Sequence, residues 1–204
     1  MKIIGVGWNY PKHNDELQAA RPEHPVIFSK PDSALLRDNR PFYIPDFTRC
    51  VDYETELVVR INRLGRGIAR KFAPRYYAEV GLGIDFTARD LQERLRSEGG
   101  PWELCKAFDN SAVISGFVPL AELGRDIQDL HFHLMLNGQR VQEGYTGDML
   151  FSVNEIIAFA SEYFTLRMGD LFYTGTPDGV GPVQPGDRLE GWLEDRLMFN
   201  FQVK

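Results

Sequence analysis

The chain has 204 residues, 43% of them hydrophobic, a formal net charge of −6 and a sequence pI near 5.3. This length and apolar content suffice for one buried core and predict a single domain over residues 1–204. The acidic balance excludes the basic field that draws proteins onto nucleic acid or anionic lipid, so a small molecule is the expected partner.

No apolar run approaches the ~20 residues of a membrane-spanning helix, so no membrane partner is expected. Cys50 and Cys105 form no CxxC pair, and Met1-Lys2-Ile3-Ile4-Gly5 lacks a secretory pattern, which predicts a cytoplasmic protein.

Along the chain, Pro11 is placed to begin a short helix on which His13 and Glu16, three residues apart, can meet. Runs rich in β-branched and aromatic residues predict strands at Val26-Ile27-Phe28, Glu56 to Ile61 and Val80 to Phe86. Thr87, with Asp90 three residues on, is expected to cap a helix running to Ser97, and Gly99-Gly100 to stop it. A strand at His131 to Leu136 meets Asn137-Gly138, a tight hairpin signal.

A second helix is predicted from Val153 to Phe164, with Ile156, Ile157, Ala160 and Phe164 as its apolar stripe. Strands at Leu171 to Thr174 and Phe199 to Val203 follow, separated by the turn signal Pro185-Gly186-Asp187. Regular helical crossovers between strands are missing, so the expected class is α+β, mostly β, rather than a parallel doubly wound sheet.

In Val51-Asp52-Tyr53-Glu54-Thr55-Glu56-Leu57-Val58-Val59, an extended backbone sends Glu54 and Glu56 to one side and Tyr53, Leu57 and Val59 to the other. Two carboxylates about 7 Å apart along a strand repel unless something positive lies between them, and hard oxygen ligands suit Mg²⁺, Mn²⁺ or Ca²⁺. An E-x-E pattern by itself is ordinarily a solvated strand face. Asp85 strengthens the metal reading, because it ends a Gly-containing apolar strand just before a helix, where α+β folds often place chemistry.

Several further strings occur in order: Gly7-Trp8-Asn9-Tyr10 with His13 and Glu16, Phe28-Ser29-Lys30-Pro31, Glu54-x-Glu56, Asp85-x-Thr87-Ala88-Arg89-Asp90 with Gln92, Pro101-Trp102, Lys106, and Thr174-Gly175-Thr176-Pro177. Gln142-Glu143-Gly144-x-Thr146 and Met149-x-Phe151-Ser152 fit the same pattern. Together they resemble the fumarylacetoacetate hydrolase family over nearly the whole chain. The resemblance is to its small single-domain branch of acylpyruvate hydrolases and oxaloacetate decarboxylases. It implies a mixed β-roll, a homodimer, and Mg²⁺ or Mn²⁺ held by Glu54, Glu56 and Asp85. One departure is Trp8, where many members carry Arg, which removes a cationic contact and bears on substrate identity.

Three carboxylates and a dication sum to −1, so an anionic 2-oxo acid needs further positive groups nearby. Lys30, Arg89 and Lys106 are the candidates. Arg89 and Gln92 share a helix face, and a planar Arg fork suits a substrate carboxylate; a pairing of Arg89 with Glu93 is the structural alternative. Lys106 is expected to support a developing oxyanion. Lys30 would by default stay solvated, and Thr176 offers a hydroxyl and a backbone N–H at a turn.

His13, oriented by Glu16, is the expected general base toward water. His24, His131 and His133 are expected to be structural. The predicted activity is metal-dependent cleavage of a C–C bond in a 2-oxo acid through an enolate. An isomerase or tautomerase of 2-oxo or 2-hydroxy-unsaturated diacids is the alternative, and a non-catalytic small-molecule binding domain the remote one.

Overall fold

The computed structural model describes residues 1–16 and 20–204. The fold is mostly β, a mixed β-roll with short helices, as expected. Its largest sheet runs in the order Val26–Lys30, Ile3–Gly7, Leu171–Tyr173, Thr55–Ile61, Tyr77–Asp85, Ala112–Ile114, Leu35–Leu36, with Val118–Pro119 pairing at the edge of Tyr77–Asp85. A second sheet joins Gln139–Tyr145, His131–Leu136, Arg188–Leu193 and Arg196–Gln202, and a small third one joins Gly181–Pro182, Val51–Tyr53 and Thr87–Ala88.

Thr55–Ile61 is central because its β-branched residues fill both faces of the sheet. Leu57 and Val59 enter the main core with Tyr53, on the side opposite the carboxylates, while Val58 packs with Ile3, Ala112 and Tyr173 on the other face. The main core also draws in the second sheet through Phe132, Leu134, Leu189 and Phe199. At Asn137 and Gly138 the φ angles are +52° and +79°, so the predicted hairpin is closed by a turn with both central residues left-handed, as type I′ requires.

Two local expectations change. Thr87 does not cap the helix Arg89–Glu98: Ala88 precedes it without a side-chain cap, because Thr87 and Ala88 are held extended by pairing with Asp52 and Val51. The Arg89 N–H is taken by the Cys50 carbonyl, and Asp90 turns instead to the Thr48 hydroxyl and the Arg49 and Leu91 N–H groups. The predicted stop is present, with Gly99 left-handed at φ +68°.

The helix Val153–Tyr163 buries Ile156, Ile157 and Ala160, and Ser152 with Glu155 forms a full capping box at its start. Phe164 lies outside the stripe, in extended backbone and 39% exposed, since its N–H closes the last turn onto Ala160 while its ring faces solvent.

Candidate active site

The site forms where the small sheet hands the chain to the large one. Glu54 stands at the break between Val51–Tyr53 and Thr55–Ile61, so the two glutamates do not sit on one continuous strand. Glu56 pairs opposite Gly83 and Thr55 opposite Ile84, which brings Asp85, the last residue of its strand, alongside both. One carboxylate oxygen from each of Glu54, Glu56 and Asp85 lies within 4.8 Å of the others, closer than a flat strand would hold them, and all three residues are buried.

Three cations reach this triad. The buried Lys106 Nζ donates to Glu54 Oε2 at 2.6 Å, Asp85 Oδ2 at 2.7 Å and Thr87 Oγ1 at 2.6 Å. Lys30, a candidate substrate-binding cation that would by default stay solvated, is 3% exposed and pairs with Asp85, with the Ser111 carbonyl and hydroxyl accepting from its ammonium. Arg89 Nε donates to Asp52 and Nη2 to Glu54, each at 2.7 Å, and Nη1 donates to Gln92. Its fork therefore grips carboxylates of the protein rather than Glu93, and as arranged it is not a free clamp for a substrate carboxylate.

The electrostatics divide the glutamates. Burial pushes Glu54 up, but the Lys106 ammonium and Arg89 guanidinium outweigh it and hold its carboxyl well below the ordinary range. Glu56 goes the other way: burial, reinforced by the Asp85 and Glu54 charges, pushes it well above, although the Gly175 N–H donates to it at 2.7 Å. Burial lowers the Lys30 ammonium despite Asp85 beside it.

A divalent cation fits this donor set. The oxygens are hard and converge, as Mg²⁺ and Mn²⁺ require. Among the described residues, Asp85 Oδ1 has the Lys30 charge beside it but no well-directed hydrogen bond, and Glu56 has no ion pair of its own. With Asp52 counted, four carboxylates face three cations; the formal charge is −1, and a dication would make it +1. The Mg²⁺ or Mn²⁺ expectation is met in this coarser sense, a buried acidic triad able to hold a divalent ion.

His13 is buried, and its Nδ1 lies 3.3 Å from Glu16 Oε2 on the short helix Pro11–Glu16. His13, the triad, Arg89, Gln92, Lys106 and Thr176 all line one cavity, which leaves about 20 Å³ of room, enough for one water or ion. Thr176 is committed to the fold: its hydroxyl donates to the Thr55 carbonyl and accepts from Gln142 Nε2. The other histidines are away from this cavity, His131 stacked on Tyr145 and His133 on Trp192.

Several residues of the site were given no role in it from the sequence. Asp52 anchors Arg89, Thr87 and Ser111 seat the two lysines, and Gln142 ties the Thr55 N–H to Thr176. Asn9 donates to the Thr174 and Phe151 carbonyls and accepts from the Phe151 N–H, fixing the turn that carries Gly175. Gly175 has φ +100°, and a Cβ there would sit 2.7 Å from the Asn9 Cβ. Only a glycine allows that approach. Such polar residues carry no periodic signal; their partners are fixed by long-range pairing.

Comparison with known proteins identifies the family. A family profile described as Fumarylacetoacetate (FAA) hydrolase C-terminal matches residues 2–203. Oxaloacetate tautomerase YcgM of Escherichia coli K12 is 44% identical over 188 residues, covering 92% of this chain and 86% of that protein. A mitochondrial oxaloacetate tautomerase of Bos taurus is 39% identical over 202 residues, covering 99% and 91%. The crystal structure of fumarylpyruvate hydrolase from Pseudomonas aeruginosa, in complex with Mn²⁺ and pyruvate, superposes with a TM-score of 0.94 at 34% identity, covering 100% of this chain and 89% of that one. The relatives named by activity are enzymes, and no helix among the described residues is long and apolar enough to cross a membrane. Each comparison runs over nearly the whole chain, which therefore belongs to the fumarylacetoacetate hydrolase family.

Proposed function

We propose that this protein is a Mg²⁺- or Mn²⁺-dependent enzyme of small anionic 2-oxo acids that breaks a C–C bond by way of an enolate. The observation that carries this reading is the buried triad Glu54, Glu56 and Asp85, which with Asp52 makes four carboxylates against three protein cations. A divalent ion held there supplies Lewis-acid polarisation of the substrate's oxygens.

The chain's own residues do the rest. Lys106 in the cavity lining, and Lys30 paired with Asp85, add positive charge that favours an anionic substrate and supports negative charge as it grows. Arg89 holds Glu54 in its ionised form and Gln92 in place. His13, oriented by Glu16, takes a proton from water as the oxygen adds to the distal carbonyl of an acylpyruvate. The C–C bond then breaks, its electron pair stays with the pyruvate fragment as an enolate, and the proton returns to that carbon. The products are a carboxylic acid and pyruvate.

Tautomerisation of a 2-oxo diacid is the second reading, favoured by relatives that bear the name oxaloacetate tautomerase. Both readings need the triad, and only hydrolysis needs the attacking water. The family resemblance also makes a cytoplasmic homodimer part of the proposal, testable by light scattering. The central test assays acylpyruvates, oxaloacetate and a 2-hydroxymuconate-type diacid with added Mg²⁺ or Mn²⁺ and with chelator. Glu54→Ala should abolish every metal-dependent turnover; full activity of that variant in chelator would sink the proposal.

A further inference from the structure

We infer that Trp8 makes this site select 2-oxo acids whose far end is an uncharged planar or apolar group, against dicarboxylates that end in a second anion. The inference rests on the reading of the site as one for 2-oxo acids and adds what lies at the other end of the substrate.

The lining of the cavity is divided. Of its charged groups, Glu54, Asp85, Arg89 and Lys106 are linked by ion pairs, and Glu56 lies beside them. Besides the polar His13, Gln92 and Thr176, the remaining lining is Val6, Gly7, Trp8, Phe28 and Trp102. Trp8 meets Trp102 edge-on with centroids 5.1 Å apart, and Trp102 tilts against Phe28 at 5.7 Å, so three rings form one continuous surface.

The position of Trp8 is imposed rather than relaxed. Its φ is +58°, a region that bulky residues avoid, and the Asn14 side-chain amide holds its carbonyl at 3.0 Å. The backbone is thus fixed in an unfavourable conformation at the residue that places an indole on the cavity. A substrate needs more room than the cavity leaves, and these rings are the part of the lining not tied down by ion pairs, so its tail is assigned to them.

Ring faces carry negative quadrupole charge and attract planar or apolar groups, whereas a carboxylate lodged there loses water without gaining a donor. Two cations are near these rings: the Arg96 guanidinium lies 5.8 Å from the Trp8 ring centroid, and the Lys106 ammonium, already bound by Glu54 and Asp85, lies 5.5 Å from that of Phe28. Among the described residues, Arg96 has no such carboxylate partner in the cavity. It is the rival contact for an anionic tail, and the test separates the two.

Two substrates with the same head and the same scissile bond, benzoylpyruvate and fumarylpyruvate, are compared with the Mn²⁺-loaded protein, wild type and as Trp8→Arg, Trp8→Phe and Arg96→Ala. Binding of the uncleaved pair phenylpyruvate and 2-oxoglutarate is measured by calorimetry on the same proteins. Wild type should favour the uncharged tail by about tenfold or more in both readouts. Trp8→Arg should reverse that preference, and Trp8→Phe should keep most of it. An equal change for both tails in Trp8→Arg overturns the inference. So does a wild-type preference for the charged tail that Arg96→Ala removes. Absence of binding and turnover for every 2-oxo acid, with metal present, overturns the underlying reading as well.

Discussion

Replacing Lys106 by Met tests what its buried ammonium does, because the side chain keeps most of its apolar stem and loses the charged terminal group. The ammonium makes three contacts of 2.6 to 2.7 Å, with Glu54, Asp85 and Thr87. Breaking a buried ion pair costs about 3–5 kcal/mol when a charge is left uncompensated. Here Glu54 keeps Arg89 and Asp85 keeps Lys30, so the loss should fall near the lower end, about 3 kcal/mol. For a chain of this size that corresponds to a drop in Tm of roughly 6–12 °C.

Burial pushes the Lys106 ammonium down, but Asp85 and Glu54 raise it above its ordinary value. Its contribution is therefore fully present at neutral pH and is lost only as pH rises through the folded-state value. A divalent cation should restore most of the loss, since the triad of the variant lacks a charge that the ion supplies. At a metal concentration about a hundred times Kd, binding stabilises by about 2.7 kcal/mol. Thermal unfolding in EDTA and with Mn²⁺ reads both effects. The reasoning fails if the variant melts with wild type in EDTA, or if Mn²⁺ raises both melting temperatures equally.

His13→Ala should lower acylpyruvate hydrolysis by about 10²–10⁴ while leaving oxaloacetate enolisation within about tenfold, because only the former needs water activated; equal losses in parallel assays would contradict the assigned role. Ser152→Ala should destabilise by about 1 kcal/mol in urea unfolding at neutral pH, through loss of the capping box. Although burial pushes Glu155 up, the Ser152 hydroxyl and N–H and the Arg70 charge hold it below its ordinary value. That stability is present above the ordinary glutamate range and is lost as pH falls through the depressed value, so the gap between variant and wild type should narrow in acid. Gly175→Ala, which forces a side chain into φ +100° and onto Asn9, should cost about 1–3 kcal/mol by denaturant midpoint; a silent change would mean the turn yields easily.

Much of the protein is legible along the chain because the signals are local. The Asn137-Gly138 turn, the Gly99 stop and the stripe of Ile156, Ile157 and Ala160 each follow from one residue's backbone freedom or one face's burial. Glu54 and Glu56 share a side for the same reason, since their alternation against Leu57 and Val59 needs only an extended backbone, while their grouping with Asp85 as a metal triad is what the family resemblance implies.

What the sequence could not decide is who meets whom across distance. Thr87 reads as a cap, yet pairing with Asp52 holds it extended and Lys106 takes its hydroxyl. Arg89 reads as a free fork, yet Asp52 and Glu54 occupy it. Lys30 reads as solvated, yet Asp85 and Ser111 bury it. Charged side chains have no intrinsic preference for such places; desolvation forbids them until the fold brings every partner into reach. The sequence by itself therefore determined the strand pattern and the three carboxylates, and the tertiary structure alone decided their counter-charges and the aromatic wall that faces them.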